Sequence, residues 1–544
     1  MDIVLLATAW GSSGGGLSTL NTSLATSLAA AVEAARVACV VNRATSAEIA
    51  GAGASGVLLL SLDQTDGDVL DGRHAEAVKS LLVARSIGPS WLVGHDIKTG
   101  WAAVEVARLM AGSRALVLHH MSYRDYGDLK TPGGISDDSK AQEQAKLFKV
   151  AERVAAVGPL LHDRLKDFAR SDGYLLVPGL DDLQVSETQP NQTLRCVVTG
   201  RLDASHDALK QTSLVVHAFA EAVRRAESGR SGADRIASLD VVGVSENDGA
   251  VEELRREAED IADRHVNIQF FPFSSDRALV LSRVRNSNLF MFLSTHDGFG
   301  LSAWEAIGLG IPVLLSKNTG VHRLLSSLGP SVRSLFRSVD IRGSTAGSGH
   351  SYRIEDRDAV ASVILDATQA IPVNLECASN LRNLLLTQRG YSWGLVTEAL
   401  CKSLGVASRP PRIQAPSVRV LRATCTPRFK VGPPDTPKLL PTPYGSVVLR
   451  PNGTVDVSPV LEEMPRESDP TPVKYMGWRM LALATLRTST SLFARASTSL
   501  YSTASWPMVR GKAHPSRPEA TAPSDRSTTS MLRVTRSRAM AGST

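Results

Sequence analysis

The chain has 544 residues, room for two or three domains that each bury a core, and its 43% hydrophobic and 21% charged residues exclude fibrous and collagen-like classes. No run reaches the roughly 18 uninterrupted apolar residues of a membrane span, and five scattered cysteines without a CxxC pair exclude a disulfide framework or a cysteine-rich metal site. The formal charge of +6 is uneven: from residue 406 onward about 20 Lys and Arg stand against about 8 Asp and Glu, so the remainder is net acidic.

The opening residues, MDIVLL, carry no basic region, and their apolar run is too short for a signal peptide, so they are expected to form a first strand of a soluble, cytoplasmic protein. β-branched or Leu-rich runs at 3–7, 37–41, 57–60, 91–94, 115–118 and 154–157 alternate with Ala-rich amphipathic stretches such as 18–35 and 100–111. This alternation is the mark of βα units around a parallel sheet, and residues 1–185 are expected to form one such domain. A polar segment, DDLQVSETQPNQ, interrupts the pattern. A second series follows, with strands at 194–199, 238–242, 266–271, 289–293 and 312–316, so residues 192–405 are expected to form a second domain. Ligands of paired domains of this kind bind in the cleft at the C-terminal ends of the strands.

Beyond residue 406 the periodicity fades into RPPRIQAP, KVGPPDTPKLLPTP and HPSRPEATAPSDRSTTS. Such composition buries too little apolar surface to offset chain entropy, so the tail 406–544 is expected to be disordered and to take no part in chemistry.

The window 288–323, NLFMFLSTHDGFGLSAWEAIGLGIPVLLSKNTGVHR, reads as strand, glycine-containing turn, helix and strand. The turn Gly298-Phe299-Gly300 lets the backbone approach a bound group, and the NH groups of a helix beginning near Leu301 and Ser302 favour an anion such as a diphosphate. Glu305, eight positions after Asp297, can accept hydrogen bonds from paired hydroxyls.

DGFGLSAWEA followed by GIPVLLS and Gly320 resembles the E-x7-E signature of the family 4 glycosyltransferases, retaining enzymes of the GT-B fold. The resemblance covers residues 1 to about 405. It implies an α/β architecture of two Rossmann-like domains. It also implies that Glu305 binds the nucleotide ribose and Asp297 contacts the donor sugar, with Asp standing where Glu is usual. The segment VVTGRLDASHDALK is similar to the family's G-R-L and Lys segment, which implies Arg201 and Lys210 as cations on the donor diphosphate.

Three first-domain segments resemble family features. Gly14 to Gly16 correspond to a glycine-rich loop, with Gly15 and Gly16 expected at the donor. GHDIKTG, containing His95, and LHHMSY, containing His119 and His120, correspond to segments where a histidine lies near the donor sugar, His119 being the first choice. The resemblance therefore implies transfer of a sugar from a nucleoside diphosphate sugar to an acceptor such as a glycan, lipid or small molecule, with retention and without metal or other cofactor. A non-catalytic nucleotide-sugar binder and a GT-B epimerase are the alternatives, and nucleic-acid binding through the tail is a weaker one.

Overall fold

The computed structural model describes residues 2–12, 14–33, 35–63, 69–130, 138–168, 173–180, 193–200, 204–228, 235–245, 249–344 and 351–410, together with strand segments 438–442, 445–449 and 455–456. The chain divides into two compact units, Met1–Val420 and Leu421–Thr544.

The first unit holds two parallel sheets. One comprises β1 (Asp2–Leu6), β2 (Val37–Val41), β3 (Val57–Ser61), β4 (Pro89–His95), β5 (Arg114–His119), β6 (Arg153–Val157) and β7 (Tyr174–Leu176), in the order β3-β2-β1-β4-β5-β6-β7. The other comprises β8 (Leu194–Thr199), β9 (Ile236–Val244), β10 (Ile268–Pro272), β11 (Leu289–Phe292), β12 (Val313–Ser316) and β13 (Arg337–Val339), in the order β10-β9-β8-β11-β12-β13. In both, the order reverses beside the first strand, and a crevice opens there at the strand C-termini. The central strands are continuously apolar, as in VACVV and the IVLL of β1, because helices cover both faces of each sheet. β13 was not expected from the sequence; it is three residues at the sheet edge, two half-buried and Val339 buried, too short to leave a hydrophobic pattern.

The first lobe's helices are α1 (Gly16–Ala31), α2 (Ser46–Ala54), α3 (Ala75–Ala84), α4 (Asp96–Leu109), α5 (Tyr123–Lys130), α6 (Asp138–Val150) and α7 (Pro159–Arg164). Those of the second are α8 (Ala204–Lys210), α9 (Thr212–Ser228), α10 (Gly249–Ala262), α11 (Arg277–Arg285), α12 (Leu301–Gly308), α13 (Gly320–Ser327), α14 (Pro330–Arg333), α15 (Ile354–Gln369) and α16 (Ile371–Asn383).

The closing helix α17 (Trp393–Leu404), counted with the second domain when boundaries are read from periodicity, packs against α1 of the first. Trp91 Nε1 donates to the Leu404 carbonyl at 3.1 Å, Ser27 Oγ donates to the Trp393 carbonyl at 3.1 Å, and Val32 pairs with Ser408 in an antiparallel bridge. The chain therefore crosses back to its starting lobe. One buried apolar cluster continues from Leu5 and Leu24 through Phe299 and Trp304 to Phe292 and Val313, so the lobes share packed surface.

In the tail, β14 (Lys438–Thr442), β15 (Gly445–Leu449) and β16 (Val455–Asp456) pair antiparallel. Strands are thus present where the sequence suggested no regular structure; the other residues from 411 onward lie outside those described. No helix among the described residues is long and apolar enough to cross a membrane.

Candidate functional site

A cleft of about 430 Å³ opens between the lobes, within the size range of small-molecule sites. Segments that follow strands of both sheets line it. Gly15 and Gly16 come from the loop after β1, Thr199 and Gly200 from the end of β8, and Val242 and Gly243 from β9. Lys210 enters from the end of α8, and Leu301, Ser302, Trp304 and Glu305 come from α12.

The glycine-rich loop is shaped by Gly15, whose φ of 81° favours a residue without Cβ just before α1. A Cβ on Gly16 would stand 3.5 Å from Leu301 Cδ1, so this loop and the start of α12 face each other at contact distance. Ser12 Oγ donates to the Ser275 carbonyl, joining the loop to the segment before α11.

On the second lobe, α12 begins after Gly300, which adopts φ 100° and supplies no side-chain cap. The first NH groups of a helix have no partner within it. Leu301 and Ser302 line the cleft, so this uncapped end borders the cavity. The turn before it is held by contacts that leave no room for side chains. A Cβ on Gly298 would stand 2.7 Å from the His120 carbonyl oxygen, and one on Gly320 would stand 2.0 Å from the Gly298 carbonyl oxygen. Phe299 is 3% exposed and packs on Trp304, with ring centroids 5.4 Å apart, and on Gly158 across the lobes. Phe299 was expected at the donor; its ring is buried between the lobes, against Trp304 and Gly158. Gly298 and Gly300 likewise shape the turn without lining the cavity.

Two ion pairs bring the polar residues together. Lys210 Nζ lies 2.7 Å from Asp297 Oδ2 and 5.7 Å from the centre of the Phe292 ring. Asp297 Oδ1 also accepts from the Phe299 NH at 3.2 Å, which holds the carboxylate over its own turn. Arg277 donates to Glu305 Oε1 through Nε at 3.1 Å and Nη2 at 2.8 Å. Arg201 lies outside the described residues.

The histidines separate sharply. His119, the first choice from the sequence, is fully buried: its ring sits edge-on to Phe148 and Phe168, with centroids 5.0 and 6.1 Å away, and its Nδ1 is 3.2 Å from Asp96 Oδ1. It is directed into the core beside α6, away from the cleft. His120, the next residue, is half-buried beside the Gly298 turn. Neighbours along an extended chain point to opposite sides, so only one of the pair can face the second lobe. His95 was expected at the donor, yet it is fully buried and reaches His120 only through its own ring, with His95 Nδ1 2.8 Å from His120 Nε2. His95 Nε2 lies 2.9 Å from the Asn21 carbonyl Oδ1, which can only accept. In the neutral ring His95 Nδ1 is then the acceptor, and His120 donates to it from Nε2.

Burial pushes the His95 pKa well below the usual imidazole range, with the neighbouring His120 charge adding to the effect. Burial likewise lowers His120, to about 4, against the pull of Asp96 in the other direction. Asp96 is buried, which raises its pKa, but the bonds from His119 Nδ1 and the His120 NH outweigh burial and hold it below the carboxylate norm. Asp96 also accepts from Gln144 Nε2 at 2.7 Å.

Arg277, Trp304, Trp393 and Phe273 line the cleft and were not singled out from the sequence. Trp304 stands inside the window between Asp297 and Glu305 and was within reach of sequence reasoning; Arg277 stands in an ordinary helix start, SSDRALV, that carries no signal. Among the described residues, no group of three or more His, Cys, Asp and Glu side chains is arranged to hold a metal ion.

The family model described as Family 4 Glycosyltransferase in conflict systems matches residues 4–400. The sucrose-phosphate synthase of Thermosynechococcus elongatus superposes with a TM-score of 0.55 at 16% identity, covering 74% of this chain and 98% of that one. A trehalose-6-phosphate synthase, OtsA, superposes with a TM-score of 0.52 at 12% identity, covering 75% and 100%. Anabaena HepE, solved with UDP and glucose, gives 0.50 at 15% identity, covering 74% and 99%. At such identities the likeness is one of fold, the two-lobed GT-B arrangement. No curated protein sequence matches the chain.

Proposed function

The chain belongs to the family 4 glycosyltransferases of conflict systems, and we propose that it moves a glycosyl group from a nucleoside diphosphate sugar to an acceptor hydroxyl with retention at the anomeric carbon. The observation that supports this most is convergence: Lys210 at the end of α8 and, about 90 positions later, α12 with its uncapped start and Glu305 line one interlobe cavity with the glycine-rich loop of the first lobe.

In this reading Glu305 accepts from the ribose hydroxyls, and the diphosphate rests against the NH groups at Leu301 and Ser302 with Lys210 beside it. Arg201 adds a second cation. The bond between the anomeric carbon and the diphosphate oxygen breaks while the acceptor oxygen bonds to the same face of that carbon, and the acceptor proton passes to the departing phosphate oxygen. Negative charge grows on the diphosphate as it leaves, so fixed cations and helix NH groups stabilise the transition state more than the ground state. Asp297 contacts the donor sugar, and His120 is the histidine on that side. The chain's own cations and NH groups meet the phosphate charge, so this reading calls on no metal or cofactor.

The test is incubation of the full chain with UDP-, GDP- and ADP-sugars, UDP-glucose first because an Anabaena protein of this fold was solved with UDP and glucose. Release of nucleoside diphosphate with an α-linked product from an α-linked donor supports retaining transfer. Interconversion of the sugar would instead identify an epimerase, and tight binding without turnover a nucleotide-sugar binder.

A further inference from the structure

We propose that Arg277 is the positioning residue for Glu305, setting its carboxylate in the orientation that a ribose diol requires before any nucleotide arrives. The inference rests on the reading of Glu305 as the ribose ligand.

Glu305 is held in a particular way. Two nitrogens of one guanidinium, Nε and Nη2, converge on a single oxygen, Oε1, at 3.1 and 2.8 Å. Two N–H groups set at a fixed angle on one planar group locate that oxygen more closely than a point-like ammonium can. The two side chains are 32% and 29% exposed, a setting in which an ion pair adds little to stability. What the pair does fix is a side chain with three rotatable bonds on the wall of the cavity that both residues line. Restraint of that kind removes part of the entropy that binding would otherwise cost.

Arg277 is itself anchored. It is the first residue of α11, where Asp276 Oδ1 accepts from the NH groups of Ala278 and Leu279 at 2.9 and 3.2 Å. The Asp276 NH donates to Ser274 Oγ at 3.1 Å, and the Ser275 carbonyl accepts from Ser12 Oγ of the glycine-rich loop. The guanidinium therefore springs from a backbone tied to the opposite lobe, and the carboxylate it holds inherits that placement.

The consequence is read as discrimination between ribose and 2′-deoxyribose. Binding to the full chain is measured by calorimetry for UDP, GDP and ADP, and the tightest of the three is compared with its 2′-deoxy counterpart. The wild-type protein prefers the ribonucleotide by about tenfold or more, the scale of a lost hydrogen bond to a charged group. Glu305→Ala brings that ratio close to one. Arg277→Ala lowers the ratio most of the way toward the Glu305→Ala value while changing deoxynucleotide affinity less than about twofold, and Arg277→Lys recovers only part of it.

Each contrary result has a distinct meaning. A wild-type protein that binds none of the three nucleotides, or does not discriminate between the sugars, overturns the ribose assignment and the inference with it. Loss of discrimination in Glu305→Ala but not in Arg277→Ala leaves the assignment standing and overturns the role of Arg277. An equal, tenfold loss for both sugars in Arg277→Ala shows that the guanidinium binds phosphate or base directly, which also overturns it.

Discussion

Lys210 Nζ and Asp297 Oδ2 lie 2.7 Å apart, joining the end of α8 to the turn after β11 across 87 positions of sequence. In the proposed mechanism one of these groups serves the diphosphate and the other the sugar, so donor binding competes with the contact between them. The pair is 29% and 15% exposed on its two side chains, enough for solvent to weaken the attraction without abolishing it.

Substitution at that pair separates binding from turnover. Asp297→Asn removes the competing charge and should tighten nucleoside diphosphate binding about fivefold, the equivalent of about 1 kcal/mol for a partly exposed pair, while transfer slows because the sugar loses its contact. Lys210→Ala should lower kcat by about 100-fold or more, as expected for loss of a group that meets charge only as the leaving group departs. Steady-state kinetics beside calorimetric Kd values check both. Unchanged affinity in Asp297→Asn would mean that the pair does not compete with the nucleotide.

The turn that presents Asp297 is sterically closed. Gly320→Ala places a Cβ 2.0 Å from the Gly298 carbonyl oxygen, so the backbone must move, at a cost of about 1–3 kcal/mol or more. Melting temperature and transfer rate should fall together. Gly51→Ala, within α2 and with nothing within 4 Å of the added carbon, should leave transfer unchanged and stabilise the fold by up to about 1 kcal/mol. Thermal melts of the two variants side by side provide the comparison.

The paired histidines should respond in opposite ways. His119→Ala leaves a void against Phe148 and Phe168 and takes one partner from buried Asp96, so it should lower stability by about 2–4 kcal/mol. His120→Ala should reduce turnover by about tenfold or more with a smaller loss of stability, since the residue is half-buried and its carbonyl abuts the Gly298 turn. A stability loss for His120→Ala equal to that of His119→Ala, with normal turnover, would remove His120 from the site.

Stability should depend on pH through His95 and His120. Both have pKa values below the ordinary 6.5, His120 near 4, so between those limits the unfolded chain binds protons that the folded protein does not. The stabilisation is complete above about pH 6.5 and is lost as pH falls toward the folded values, by at most about 1.4 kcal/mol per pH unit for each histidine. Melts at pH 7, 6 and 5 should show a declining midpoint, and the decline should be shallower in His120→Gln. An identical slope in the variant would show that other groups carry the dependence.

Much of this molecule is local in origin and so could be read from the chain. The strands VACVV and LFMF are continuously apolar because helices bury both faces of their sheets. The passage from β11 through the Gly298 turn into α12 is one contiguous segment, so the spacing of Asp297 and Glu305 was legible, as was the glycine-rich loop before α1. The closing helix was legible as a helix, while its place on the first lobe was not, because amphipathicity says that a face is buried and not against what.

What folding alone decided are relations between distant residues. Arg277 meets Glu305 and Lys210 meets Asp297 only because the order of the second sheet brings α8, α11 and α12 to one rim. His119 and His120 are adjacent and alike in type, and the strand's alternation buried one against Phe148 and left the other half-buried against His95. Residue type and spacing specify which groups a segment can offer; the direction each side chain takes follows from the packing of the elements around it, which no single segment contains.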